Sequence, residues 1–170
     1  MEAIMACAKR HNLKVVEDAC QADGGSYKGR RLATIGDAGA FSFNQFKIIS
    51  TGEGGALLTN DRKVFERALI YHDSSAVSYF GDQLSEISEP TFCGTEYRTN
   101  EIATAILREQ LKKLDSILAD LRKNKKAIME ALKDKYSFAP SNDIEGDCGT
   151  TVAFRFDDEK TARKFAETEG

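Results

Sequence analysis

The chain has 170 residues, 41% of them hydrophobic and 30% charged, with a formal net charge of −3. That length buries roughly 70% of the surface an unfolded chain exposes, so a folded core is expected and disorder is not. A near-neutral balance without a dominant Lys/Arg cluster argues against nucleic acid or an anionic membrane surface as a partner, and the basic run from Arg122 to Lys126 reads as a solvated helix face.

Ile4, Met5 and Ala8 give the opening stretch a helical spacing. Leu13, Val15 and Val16 then form a short apolar run ending at Glu17 and Asp18, which predicts a buried strand. Residues 37–43 (DAGAFSF) and 55–59 (GALLT) predict two more strands. Asn60 and Asp61 predict a cap for a helix running to about Tyr71. Residues 73–100 have no periodicity and contain Gly81, Pro90 and Gly94, which predicts an irregular excursion long enough to be functional. From Asn100 the pattern changes: Leu107, Leu111, Leu114, Leu118 and Leu121 recur at spacings of 4, 3, 4 and 3, continued by Ile128 and Leu132. This predicts one long helix, packed either on its own core or on another subunit. TTVAFRF reads as a strand and DDEKTARKFAETEG as a capped helix, the opening of a further small domain. The fold class is α/β, with residues 1–100 as a partial large domain, 101–135 as a connecting helix and 136–170 as the start of a truncated small α+β domain.

Cys7, Cys20, Cys93 and Cys148 lie far apart, with no CxxC pair and no histidine spaced to complete a zinc site, so no metal is expected. The sequence has neither a signal segment nor an apolar run near 18 residues. Reduced thiols in a cytoplasm are the expectation. His11 and His72 read as structural.

Three positions carry the chemistry. Asp18 ends a predicted strand, where open α/β sheets place ligand-contacting groups. Ser42 ends another, and Lys47 follows in a loop just before Gly52, Gly54 and Gly55. Taken singly, each has a plainer reading as a turn residue, a strand end or a solvated charge. The glycines permit positive φ and close backbone approach directly after the lysine. They are not a P-loop, because the Gly-Lys-Ser/Thr ending is absent, nor a dinucleotide fingerprint, because GEGGAL leads into a strand. What remains is a lysine held by a tight turn, suited to Schiff-base chemistry if a cofactor partner exists.

The stretch VVEDACQADGGSYKGRRLATIGDAGAFSFNQFKIISTGEGGALLTND, with EYRTNEIATAILREQLKKLD after it, resembles the DegT/DnrJ/EryC1/StrS sugar aminotransferases, pyridoxal phosphate enzymes of aspartate-aminotransferase-like fold (fold type I). The likeness covers roughly residues 14–135, and Asp-x-x-Gln, Ser-Phe-x-x-x-Lys and Gly-Glu-Gly-Gly in that order are far more specific than any one of them. It implies that residues 1–100 are part of the large cofactor-binding domain. Lys47 matches the lysine bonded to pyridoxal 5′-phosphate, Asp18 the carboxylate facing its ring nitrogen, Gln21 a cofactor-contacting glutamine and Ser42 a phosphate-binding hydroxyl. Freed by substrate, Lys47 would serve as general acid-base. Related dehydratases carry histidine at that position, so the lysine favours amino transfer.

The resemblance implies an amino group moved, with glutamate as the expected donor, to a keto or aldehyde carbon of a nucleotide-activated sugar or an octulosonate-type sugar acid. It also implies a homodimer sharing its active site. Where many relatives read Asn-Tyr-Arg, the Asn reaching a neighbouring subunit's cofactor phosphate, this chain reads Glu96-Tyr97-Arg98, and a carboxylate there repels phosphate. Relatives are about twice this length and supply an upstream phosphate-cradling turn and a stacking aromatic. The chain is therefore expected to be a fragment, with little activity alone. The alternatives are a noncatalytic fragment serving as a binding or dimerisation module, and a structural α/β domain without cofactor.

Overall fold

A computed structural model describes residues 1–74 and 87–168. The expected excursion at 73–100 lies partly outside the described residues, and 87–100 carry no helix or strand. Helix α1 (Glu2–Arg10) has Glu2 in its first turn and Lys9 and Arg10 in its last, each sign at the dipole end that favours it. A three-stranded sheet follows in the order β1 (Val16–Asp18), β4 (Ala38–Ser42), β5 (Gly55–Thr59). β1 runs parallel to β4, with Asp18 opposite Ala40, and β4 runs antiparallel to β5, with Ser42 opposite Gly55. Asp18 and Ser42 therefore sit at the same, carboxyl, end of neighbouring strands.

The crossover from β1 to β4 contains no helix. It carries a two-residue hairpin, β2 (Ser26–Tyr27) with β3 (Arg30–Arg31), and then irregular backbone whose N–H groups need acceptors. Glu17 supplies them: its buried carboxylate accepts from the N–H groups of Ala33 (3.0 Å), Ile35 (2.6 Å) and Gly36 (2.6 Å). The strand's period of two then points Val16 outward, 70% exposed, and Leu13 ahead of it is 60% exposed. The apolar run predicts a buried strand; the structure instead buries the glutamate, because the crossover's hydrogen bonds claim the inward face.

Asp61 caps helix α2 (Arg62–His72) by accepting from Lys63 and Val64, and α2 packs against β5. Asn100 caps helix α3 (Glu101–Leu132) by accepting from Ala103 at 2.8 Å. Of the leucine seam, the middle is covered by this chain's own loops. Leu118 is 1% exposed and packs on the turn at Gly24, whose φ of +78° and missing side chain let the helix approach. Ile102, Ile106 and Leu111 stay exposed.

Residues beyond α3 fold back on the crossover rather than standing apart. The Ser26 N–H donates to Gly146 O at 2.8 Å, the Lys28 N–H to Asp143 Oδ2 at 2.6 Å, and Arg122 Nε to Asp147 O at 2.7 Å. Only the end forms its own cluster: strands β6 (Ser137–Phe138) and β7 (Phe154–Arg155) pair antiparallel, and helix α4 (Glu159–Ala166), capped by Asp158, lays Phe165 on Phe154 at 4.9 Å between ring centroids. Strand β6 has no sequence signal, and β7 occupies only two residues of the predicted run.

The segment after residue 86 is tied to α2 by Glu66, which is 1% exposed. Its carboxylate accepts from Arg62 Nε (2.5 Å), the Ser88 N–H (2.9 Å) and hydroxyl (3.0 Å), and the Glu89 N–H (3.0 Å). The Arg62 hydrogen bond, joined by those of Glu89 and Ser88, holds its pKa at about 2 against an ordinary 4.5. A depressed carboxylate stabilises the fold above pH 4.5, and that contribution disappears as pH falls to about 2. Glu66→Gln is therefore expected to melt below wild type at pH 7, with the gap closing between pH 4.5 and 2 in thermal unfolding followed by circular dichroism. Parallel curves across that interval would show that the ionised carboxylate does not carry the tie.

Candidate functional site

The lysine stands on a loop closed at its neck by one residue. Phe43, directly after β4, donates its N–H to Gly54 O at 2.8 Å and accepts at its carbonyl from the Thr51 N–H (3.0 Å) and the Ser50 hydroxyl (3.2 Å). Its side chain and that of Ile49 are buried, 7% and 2% exposed, and fasten the loop to the body. Within the loop, Asn44 makes an Asx turn: its Oδ1 accepts from the Phe46 N–H at 3.0 Å, its carbonyl from the Lys47 N–H at 3.0 Å, and its Nδ2 donates to Glu53 Oε1 at 3.0 Å. Gly52 takes φ +85°, the left-handed conformation that reverses the chain toward β5. The glycine cluster after Lys47 thus builds a turn and a strand start, as its spacing predicts.

This scaffold brings Lys47 into electrostatic range of Asp18, Cys20 and Asp23. Lys47 is half-buried, and its Nζ makes no ion pair or hydrogen bond among the described residues. Asp18 is exposed at the end of β1. The Cys20 side chain, then the Cys20 N–H donating at 3.0 Å, and more weakly the Lys47 charge, hold the Asp18 carboxyl below the usual range, so it is ionised near neutrality. Asp18 thus serves as the plain turn residue through Oδ1. Ser42 ends β4, and its hydroxyl accepts only a long 3.4 Å bond from the Asn44 N–H. Asp18, Ser42 and Lys47 share one end of the sheet.

Gln21 is placed differently. It is exposed and lines a groove of about 370 Å³ with Ser26, Tyr27, Asn142 and Thr150. A second groove, of about 590 Å³, runs from Gly54 and Gly55 past Phe65 and His72 to Tyr97 and Arg98. Beside it, Glu96 is engaged: Arg98 donates to it through Nε (2.5 Å) and Nη2 (3.1 Å), and Ser74 through its hydroxyl (3.3 Å). The Arg98 hydrogen bond keeps Glu96 ionised at lowered pKa, with its charge offset by the guanidinium. Arg98 Nε also lies 3.3 Å from Asp73 Oδ2, so one guanidinium faces two carboxylates and offsets the negative charge only in part. His72 closes α2, with Nδ1 2.6 Å from Leu69 O.

Asp23 is absent from the sequence-derived site. Its burial comes from the lysine loop and from Cys148, far along the chain, so local pattern carries no signal for it. Among the described residues, no group of three or more His, Cys, Asp or Glu side chains is disposed to hold a metal ion, and no helix is long and apolar enough to cross a membrane.

The family model of the DegT/DnrJ/EryC1/StrS aminotransferase family matches residues 1–162. The chain belongs to this family. It is similar to GDP-perosamine synthase of Escherichia coli O157:H7, at 36% identity over 72% of this chain and 32% of that protein. It also matches L-glutamine:2-deoxy-scyllo-inosose aminotransferase of Streptomyces lividus, at 31% over 86% of this chain and 35% of that protein. Among solved structures, the aminotransferase from Psychrobacter cryohalolentis matches 81% of this chain and 37% of its own, with 34% identity and a TM-score of 0.68. A GDP-4-keto-6-deoxymannose-3-dehydratase with a trapped PLP-glutamate geminal diamine shares the fold, at TM-score 0.79 and 24% identity over 92% of this chain and 44% of its own. The DegT-family chain thus spans about a third of the curated relatives it matches, less than the half that the resemblance implies.

If Asn44 sets the lysine's position, Asn44→Ala releases the Phe46 N–H and the Glu53 tether. Amide exchange at Phe46 and Lys47 is expected to quicken about tenfold, the loss of roughly one net hydrogen bond, while β4 amides keep their rates. Unchanged exchange in the loop would assign its order to Phe43 alone.

Proposed function

We propose that this chain carries the lysine half of a pyridoxal phosphate site, and that the protein it belongs to transfers an amino group from a donor of the glutamate type to a keto or aldehyde sugar. The observation that carries the reading is the convergence of Lys47, with Nζ unengaged, and ionised Asp18 at the carboxyl end of β1 and β4. Family membership and the two sugar-linked relatives support it. The donor is taken as glutamate from the bound adduct in the dehydratase neighbour; the inosose relative's name gives glutamine, and either amino acid fits the proposal.

The residues present fit the cofactor. Lys47 offers a side-chain nitrogen with no ion pair or hydrogen bond among the described residues, Asp18 a carboxylate that stays charged, and Ser42 a hydroxyl with a weakly used oxygen. Bound there, pyridoxal phosphate supplies an aldehyde conjugated to a protonated ring nitrogen, a sink for electrons released at the amino donor. Lys47 would hold the group through Nζ. The same Nζ would also serve as the base that takes a proton from the donor's α-carbon and returns it. Asp18 would hold a proton at the ring nitrogen through its negative charge, which the Cys20 contacts secure. The Ser42 hydroxyl would donate to phosphate. Gln21 would add a cofactor contact, a role that rests on its match to the family motif. A homodimer in which Tyr97 and Arg98 face a partner's site completes the proposal.

Absorbance titration with pyridoxal phosphate tests it. In the complete protein, Lys47→Ala is expected to lose the long-wavelength band, and Asp18→Asn to keep binding and folding while turnover with glutamate drops at least about 100-fold, since the charge that holds the ring proton is gone. Near-normal turnover by Asp18→Asn would remove Asp18 from that role, and an unchanged band in Lys47→Ala would remove the lysine.

A further inference from the structure

The most unusual side chain in the described residues is Asp23. It is 2% exposed, and neither carboxylate oxygen has a hydrogen-bond partner; the Ile49 N–H approaches without completing a bond. Native structures rarely bury a carboxylate this way, because an unpaired charge loses its hydration and gains nothing in return. Three segments enclose it: its own loop after β1, the lysine loop through Ile49, and residues 147–149, where Cys148 Sγ donates to Asp23 O at 3.7 Å.

We propose that Asp23 is a positioning residue coupled to Lys47, holding its negative charge while Lys47 is an ammonium and taking up a proton when the lysine's charge is removed. The proton balance is internal: an ammonium and a carboxylate become an amine and a carboxylic acid, and the pair stays at zero net charge. A neutral lysine would otherwise leave a bare carboxylate in the interior.

Burial pushes the Asp23 pKa up to about 6, and the Lys47 charge is the main influence pulling it back. The other charged or titratable groups around it have settled states over the relevant range. Asp18 is held ionised, and the Cys20 and Cys148 thiols are pushed above their ordinary 9.0, Cys20 chiefly by its hydrogen bond to Asp18 and Cys148 chiefly by burial. Arg122 of α3 is a permanent cation, and Asp147 is paired with Lys125 at 2.9 Å. Between pH 4.5 and 8, Asp23 is the group in this cluster poised to change state.

The inference uses the reading of Lys47 as a reactive amine only to say why its charge would change, and its test needs no cofactor. The chain is labelled with ¹³C at aspartate carboxyls, and Asp23→Asn identifies the resonance. Wild type is expected to titrate at Asp23 near pH 6. Lys47→Met should move that midpoint up by about one pH unit, as loss of a nearby charge at intermediate dielectric implies, and Lys47→Arg should keep it near the wild-type value. An Asp23 midpoint at the ordinary 3.8, or one shared by wild type, Lys47→Met and Lys47→Arg, overturns the coupling. Wild type, its resonance identified by Asp23→Asn, decides the first point without any change at Lys47, and a failure here leaves the cofactor titrations above untouched.

Discussion

The parallel pairing of β1 with β4 is the constraint on which the site depends. Without it Asp18 would lie at one end of the sheet with nothing beside it, because the lysine loop leaves from the end of β4. Parallel neighbours need a crossover, and here the crossover has no helix to satisfy its own backbone. The buried carboxylate of Glu17 takes over that task through three N–H groups, one residue before Asp18. Two adjacent acidic residues therefore divide: the inward one closes the crossover, and the outward one stays exposed at the strand end. Strand alternation makes that division automatic.

The same economy recurs in the lysine loop. Backbone hydrogen bonds at Phe43 fix the neck, an Asx turn at Asn44 fixes the approach to Lys47, and Ile49 anchors the far side in the core. Each contact is modest, about 1 kcal/mol net, yet together they restrict where an otherwise long and mobile side chain can reach. In the proposed role that restriction would matter, since misplacement of a reacting group by about 1 Å can cost about 100-fold in rate.

Much of this arrangement was legible in the residues. The cap expected at Asp61 and the capped helix expected over DDEKTARKFAETEG are both used by the fold, and the leucine spacing marks α3. Strands β4 and β5 are long enough to carry a pattern, and the ordered motifs around Lys47 carry the family. The hairpin of β2 and β3 and strand β6 escaped because two residues have no periodicity. The burial of β1 was misread because an apolar run marks a strand without saying which face the hydrogen bonds of a distant loop will claim. Gln21 sits in a groove completed by residues 141–151, and Asp23 under Cys148, both set by chain folding back from beyond α3. No window around either residue contains that information.

The central claim is that Lys47, and no other lysine, is the amine this fold prepares for covalent attachment. The most direct measurement is to incubate the protein with pyridoxal phosphate, reduce with borohydride and map the modified peptides by mass spectrometry. The account predicts one pyridoxyl group on the peptide containing Lys47, present at low excess of reagent and lost in Asn44→Ala before other lysines react. A label centred on another lysine, or spread evenly over exposed lysines such as Lys28 and Lys112, would contradict it.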